Sequence, residues 1–353
     1  MQDIIKEDIS LICSENLPWE NLQHKRILIT GANGFLGTYI VLSLMKCNQR
    51  YKTDIIVNAL CRNKQKAYEK FNVYMNDDNL HFIFQDVCEE IDDSYESDII
   101  IHAASPANPY IIQRHPNDVV DANVIGYSKL LKKAQEWGTK EVILFSSSAV
   151  YGYAAPMEGV DENHRDCIDF TNYKDVYCIS KQMCEMMSIC YARTYNIQTK
   201  IIRPFVIYGP GDDLTSNKGM IDFLNDCIRN RNIVMKSKGE AIRSYVYIRD
   251  AIRAFYYILL KGKNDAYNIS SVENIYSMNQ IAAIFCKYNK KITIEYKLEN
   301  KEYLKTRFEK MIGKNEKLRN LGWHETVGME EGIYRTIKWG KSVLAINGEK
   351  VYE

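Results

Sequence analysis

A short apolar run, Arg26-Ile-Leu-Ile-Thr30, ends directly in Gly31-Ala-Asn-Gly34-Phe-Leu-Gly37. No other stretch constrains the fold as much. An apolar run followed at once by spaced glycines reads as a buried strand turning into a helix. The first glycine permits the tight turn. The second lets backbone approach a ligand, and the third lets helix and strand pack closely. Ile40 and Leu44 then fall on one helical face.

The form repeats. DIIVNALC, LHFIFQDV, SDIIIHAAS and KEVILFSSS are each an apolar run ending in small or polar residues. Helical candidates lie between them. The longest, NDVVDANVIGYSKLLKKAQEWG, reads as one helix stopped at Gly138. Continuous apolar strands alternating with helices predict an α/β fold, a Rossmann-type doubly wound parallel sheet. After Gly211 the texture shifts to short strands mixed with helices, predicting a smaller mixed α/β C-terminal substrate lobe. The expected division is a helical extension over 1–24, a dinucleotide-binding domain over 25–200, and a substrate lobe over 201–353 from which part of the chain returns to the sheet. Ile4, Ile5, Ile9, Leu11 and Ile12 of the extension are expected to cover a face of the main body.

Ligands of such sheets bind beyond the carboxyl ends of the strands. Gly31, Asn33, Gly34, Phe35, Leu36 and Gly37 would hold a pyrophosphate at the positive end of the helix. An acid about 20 residues on would hold the ribose of NAD, but Asp54 precedes the second strand. That strand ends in Cys61-Arg62-Asn63-Lys64, where Arg62 suits the 2′-phosphate of NADP. Both NAD and NADP stay open. Asp86 and Val87 would meet the adenine edge, and Ala103, Ala104 and Ser105 would line the cofactor.

Tyr177 and Lys181 share a helix face one turn apart. A phenol titrates near 10, but nearby positive charge favours the phenolate. Such a phenolate can take an alcohol proton while the carbon loses hydride, with the Ser147 hydroxyl on the same oxygen. Arg243 presents a guanidinium suited to a diphosphate. His102, after an apolar run, reads as structural.

The set TGxxGFxG (Thr30–Gly37), HAASPA (His102–Ala107), ANVIG (Ala122–Gly126), SSSAVYG (Ser146–Gly152), YxxxK, RPFxxYGPG (Arg203–Gly211), RSYVYIRD (Arg243–Asp250) and LGW (Leu321–Trp323) resembles an extended short-chain dehydrogenase/reductase. The chain is similar to the NAD-dependent epimerase/dehydratase family, which modifies nucleotide sugars, and within it to the UDP-galactose 4-epimerase and UDP-glucuronate decarboxylase branches. The resemblance implies further cofactor contacts at Asn123 and Pro204, substrate contacts at Ser148 and Tyr208, and a homodimer. It also sets the departures. The dehydratases carry an Asp-Glu pair where this chain has Ser148 and Ala149, and the decarboxylases carry a glutamate at Ala149. An asparagine frequent in the family, which contacts substrate phosphate, is here Val206. Ser147, Tyr177 and Lys181 suffice for reversible oxidation at C4. The expected activity is therefore 4-epimerisation of a nucleotide-diphosphate sugar. The alternatives are a C4 dehydrogenase or 4-ketosugar reductase, a decarboxylase-like or 4,6-dehydratase-like enzyme, and an inert dinucleotide-binding scaffold.

A net charge of +1 argues against a nucleic-acid partner bound through phosphate attraction. No apolar run approaches the ~20 residues of a membrane span. The mixed, acidic N-terminus does not read as a signal peptide. The ten cysteines lack metal-site spacing and read as thiols of a cytoplasmic protein, with no metal expected.

Overall fold

In the computed structural model, residues 3–153, 156, 158–166, 168–216, 218–298 and 309–346 are described. The glycine junction forms as read: strand β1 (Arg26–Thr30) passes through Gly31–Gly34 into a 17-residue helix. Further strands follow: β2 (Ile56–Cys61), β3 (Leu80–Phe84), β4 (Ile99–His102), β5 (Glu141–Phe145), β6 (Gln198–Pro204), β7 (Val206–Tyr208), β8 (Ile233–Met235), β9 (Ile242–Tyr247) and β10 (Ala266–Ile269). Seven of these make a parallel sheet in the order β10-β6-β5-β4-β1-β2-β3. The order reverses between β1 and β4, where Thr30 lies beside His102. A crevice at such a reversal is where these sheets take ligands.

Both faces of the sheet are buried, and strand periodicity divides them. Ile27 and Ile29 point into one apolar cluster, and Leu28 into another with Ile100, Val142 and Leu144. In chain order the helices are α1 (Asp3–Ile12), α2 (Phe35–Tyr51), α3 (Lys64–Lys70), α4 (Pro109–Arg114), α5 (Pro116–Val120), α6 (Tyr127–Glu136), α7 (Val176–Tyr195), α8 (Gly219–Ile228), α9 (Ile248–Lys261), α10 (Met278–Tyr288), α11 (Glu316–Asn320) and α12 (Met329–Ile346). Tyr127, Leu130 and Leu131 of α6 and Cys184 of α7 fill the second cluster. Residues of α1, α2 and α9 fill the first.

The remaining strands, β11 (Ile275–Ser277), β12 (Ile294–Tyr296) and β13 (Lys310–Met311), complete the small lobe. There β9 pairs with β7, β11 and β13, and β12 pairs with β8. The first cluster runs on into this lobe through Leu224, Phe285 and Ile333, so the two parts share one core.

Two local readings differ from the sequence expectation. Residues 117–138 are not one α-helix, because Asp121–Gly126 between α5 and α6 is π-helical. There Gly126 abuts Val87, and the Asn123 side chain turns inward to donate to Ser180 Oγ at 2.9 Å. In α1, Ile5, Ile9 and Ile12 are buried as read, but Leu11 is exposed. The face is completed instead by Asp8, which accepts hydrogen bonds from Tyr247 Oη (2.8 Å) and Arg335 Nη2 (2.7 Å).

Candidate active site

The glycine turn has the shape a pyrophosphate needs. Gly31 sits at φ +67°, and a methyl on it would lie 2.8 Å from the Ala104 backbone. A side chain on Gly37 would strike the Gly31 carbonyl. Gly34 caps α2 without a side-chain hydrogen bond, which leaves the amides of the Phe35-Leu36-Gly37 turn for an anion. Asn33 donates to the Asn63 carbonyl at 2.9 Å, tying the turn to the end of β2. Ala103 and Ala104 donate their amides to Thr30 O (3.2 Å) and Thr30 Oγ1 (3.3 Å), closing the floor. These residues fit a dinucleotide.

At the adenosine end, Cys61 is buried and Arg62 is exposed. Arg62 Nη1 lies 3.4 Å from Asp86 Oδ2. Partial burial works to raise the Asp86 carboxyl, but the Cys88 amide and thiol and the Arg62 guanidinium outweigh it and hold the pKa below the ordinary value. Val87 is buried against Gly126.

At the other end, the tip of β5 meets α7. Ser147 Oγ accepts from the Ala149 amide at 3.1 Å, opening the single-turn helix Ser148–Tyr151. Its oxygen is thereby engaged and its proton is left to donate. The Tyr177 phenol lies beside the hydroxyls of Ser147 and Ser105. Burial pushes the phenol above its ordinary pKa, and the two serines work against it. Lys181, on the next turn, is fully buried and donates to the Phe145 carbonyl at 2.8 Å. Burial brings its pKa down to about 8, opposed by Cys184 and Glu185. The expected depression of the phenol by the lysine is thus not what the protein alone displays. The ammonium is anchored on the end of β5, and burial prevails at the phenol.

His102 is fully buried, its Nδ1 2.8 Å from Thr30 Oγ1 and its ring stacked on Tyr127. Burial, then the nearby Lys181 charge, keeps it neutral. Asn123 reaches the site indirectly, through Ser180, whose Oγ donates to the Tyr177 carbonyl at 2.9 Å.

Pro204 ends β6 at the same rim, and Ser148 is half-buried beside Ser147. Arg243 is half-buried on β9, and burial holds its pKa down to about 10. Tyr208 departs from its expected substrate role. Its side chain is buried against Tyr245, Tyr247 and α12 at Gly332, because β7 turns it into the core of the small lobe.

The sequence reading missed a buried polar chain behind α7. Glu185 accepts from Ser146 Oγ (2.5 Å) and bidentately from Arg203 (2.6 and 2.9 Å). Arg203 also donates to Tyr151 Oη (3.0 Å), which donates to Asn268 Oδ1 (2.5 Å). The available signal was spacing: Tyr177, Lys181 and Glu185 recur every fourth residue.

The chain is 27% identical to UDP-glucuronate 4-epimerase of Thermodesulfobacterium geofontis, over 90% of this chain and 97% of that one. It is 26% identical to human dTDP-D-glucose 4,6-dehydratase, over 89% of each. The solved structure of UDP-glucose 4-epimerase from Thermotoga maritima, with UDP-glucose, superposes with a TM-score of 0.78 at 26% identity, over 90% of this chain and 99% of that one. A sequence model described as the NAD dependent epimerase/dehydratase family matches residues 27–270, and the chain belongs to that family of enzymes.

Proposed function

We propose that the protein is a nucleotide-diphosphate-sugar 4-epimerase acting by transient oxidation at C4. The observation that carries this reading is the Ser147–Tyr177 pair at the sheet rim with no carboxylate at Ser148 or Ala149. A bound dinucleotide supplies a reversible hydride acceptor and the positive charge of its oxidised ring. Tyr177, as phenolate, takes the C4 hydroxyl proton while Ser147 donates a hydrogen bond to the same oxygen. Lys181, fixed on the Phe145 carbonyl, adds a positive charge next to the base. The proton returns from Tyr177 once the ketosugar has presented its other face. With no acid or base at 148 or 149, the site has no agent there for dehydration. Arg243, half-desolvated, favours an anion and is assigned to the diphosphate.

For the cofactor we favour NAD. Asp86 beside Arg62 neutralises the guanidinium and repels a 2′-phosphate. D86N should raise affinity for NADP at least fivefold while changing that for NAD by less than twofold, as measured by calorimetry. Met183, Met186 and Ile189 leave an exposed apolar strip along α7. We assign that strip to a homodimer contact.

The deciding experiment incubates the purified protein with UDP-, GDP-, CDP- and dTDP-sugars and resolves the products. A C4 epimer as the sole product supports the reading. Release of carbon dioxide, loss of water, or consumption of added NAD(P)H would each replace it. No new product and no reduced-cofactor absorbance with any sugar would indicate an inert binder.

A further inference from the structure

The loop leaving β4 positions Ser105 more tightly than a cofactor-lining role requires. Ala103 and Ala104 are pinned to Thr30 by their amides, and the Gly31 turn abuts the Ala104 backbone. Pro106 follows and restricts the residue before it to extended backbone. Between these constraints the Ser105 hydroxyl is buried beside the Tyr177 phenol, close but without a formed hydrogen bond to any described residue. A buried hydroxyl with no partner is costly. Alanine fills the two preceding positions of this floor and would fill this one at no such cost. The groups facing the phenol are Ser147 from β5's end, Ser105 from β4's end, and Cys178 and Cys184 along α7. Lys181 is held on the Phe145 carbonyl.

We propose that Ser105 is a catalytic residue, donating a hydrogen bond to the Tyr177 oxygen when that oxygen is a phenolate. The inference rests on the reading of Tyr177 as the base. In the oxidation half, the C4 O–H bond breaks and the proton passes to Tyr177 Oη. The C4 hydride leaves to the oxidised dinucleotide of the proposed reaction. Ser105 keeps its own proton, and its hydrogen bond strengthens with the charge it faces. Ser147, its oxygen engaged by the Ala149 amide, also faces the phenol and keeps a proton to donate. In the proposed reaction that proton serves the sugar oxygen while Ser105 serves the phenolate.

The test compares S105A, S105T and Y177F in the full chain, measuring kcat, KM, the pH profile of kcat and the dinucleotide dissociation constant. S105A should lower kcat about 10–100-fold, the loss expected for one hydrogen bond to a charged group. It should also move the pH profile upward by about one unit, since the phenolate loses a donor. KM and dinucleotide affinity should stay within twofold, and S105T should recover most of the rate. A wild-type kcat and pH profile in S105A overturns the proposal. So does a loss confined to KM or dinucleotide affinity, which would mark Ser105 as lining alone. If S105A does not fold, S105C keeps the volume with a weaker donor, and the same pair of outcomes decides. Full activity in Y177F would instead remove the underlying reading, whatever Ser105 does.

Discussion

Tyr177 and Lys181 occupy one helix face but face different problems. Lys181 is buried and Tyr177 half-buried, and loss of solvent disfavours the charged form of each, raising the phenol and lowering the amine. The lysine carries a cost that stability measurements can read. Its folded-state pKa of about 8 lies below its ordinary 10.5, so between those values the unfolded chain binds more protons. Its contribution is therefore least favourable below pH 8 and improves as pH rises toward 10.5. K181M removes the buried charge. It should raise the unfolding midpoint at pH 7 by a few degrees, roughly 1–3 kcal/mol, while activity falls at least 100-fold. The difference from wild type should shrink between pH 8 and 10. A lower midpoint for K181M at pH 7 would show that the Phe145 hydrogen bond outweighs the burial cost. At this scale the sequence located the phenol, the lysine and Ser147. It did not show that the lysine would bind a strand carbonyl, because that depends on how α7 sits over β5.

α7 is the element on which the site depends. Its N-terminal half carries Tyr177 and Lys181, and its centre is fastened to β6 by the buried Glu185–Arg203 pair. Removing one partner leaves the other charge buried and uncompensated, which typically costs 3–5 kcal/mol. E185A should lose about that much in urea unfolding. The double replacement E185M/R203M should lose markedly less, because two apolar side chains leave no stranded charge. Equal losses would mean that the network contributes through packing alone. The i, i+4 recurrence of this face was legible in the sequence. The π-helical turn opposite was not, since Asp121–Gly126 has an ordinary helical pattern. Its backbone is displaced by contacts from elsewhere, Val87 against Gly126 and Ser180 with Asn123.

Over the whole molecule, the N-terminal extension and the small lobe are joined by charge as well as by apolar contact. Asp8 of α1 is buried between Tyr247 and Arg335, and Glu15 accepts from Arg253 (2.7 Å) and Tyr257 (2.9 Å). D8A removes the buried acceptor of Tyr247 and Arg335 but leaves the guanidinium paired with Glu7 (3.2 Å). It should therefore cost about 1–3 kcal/mol, the penalty of buried donors left without a partner, measured by thermal or urea unfolding. A loss under 1 kcal/mol would show that water reaches Arg335. The exposed strip on α7 belongs to this scale too. M186E should halve the mass seen by light scattering if this face joins two copies, and should leave it unchanged if it does not. The parallel sheet, the glycine turn and the positions of the polar clusters at strand ends were determined by the sequence alone. Period, glycine spacing and strand-end composition are local properties that any fold must accommodate. Tertiary structure decided which hydroxyls reach the phenol, that Tyr208 turns into the core, and that Asp8 rather than Leu11 completes the face of α1. Each of these depends on residues far apart in the chain meeting at one point, where burial and the available partners set the outcome.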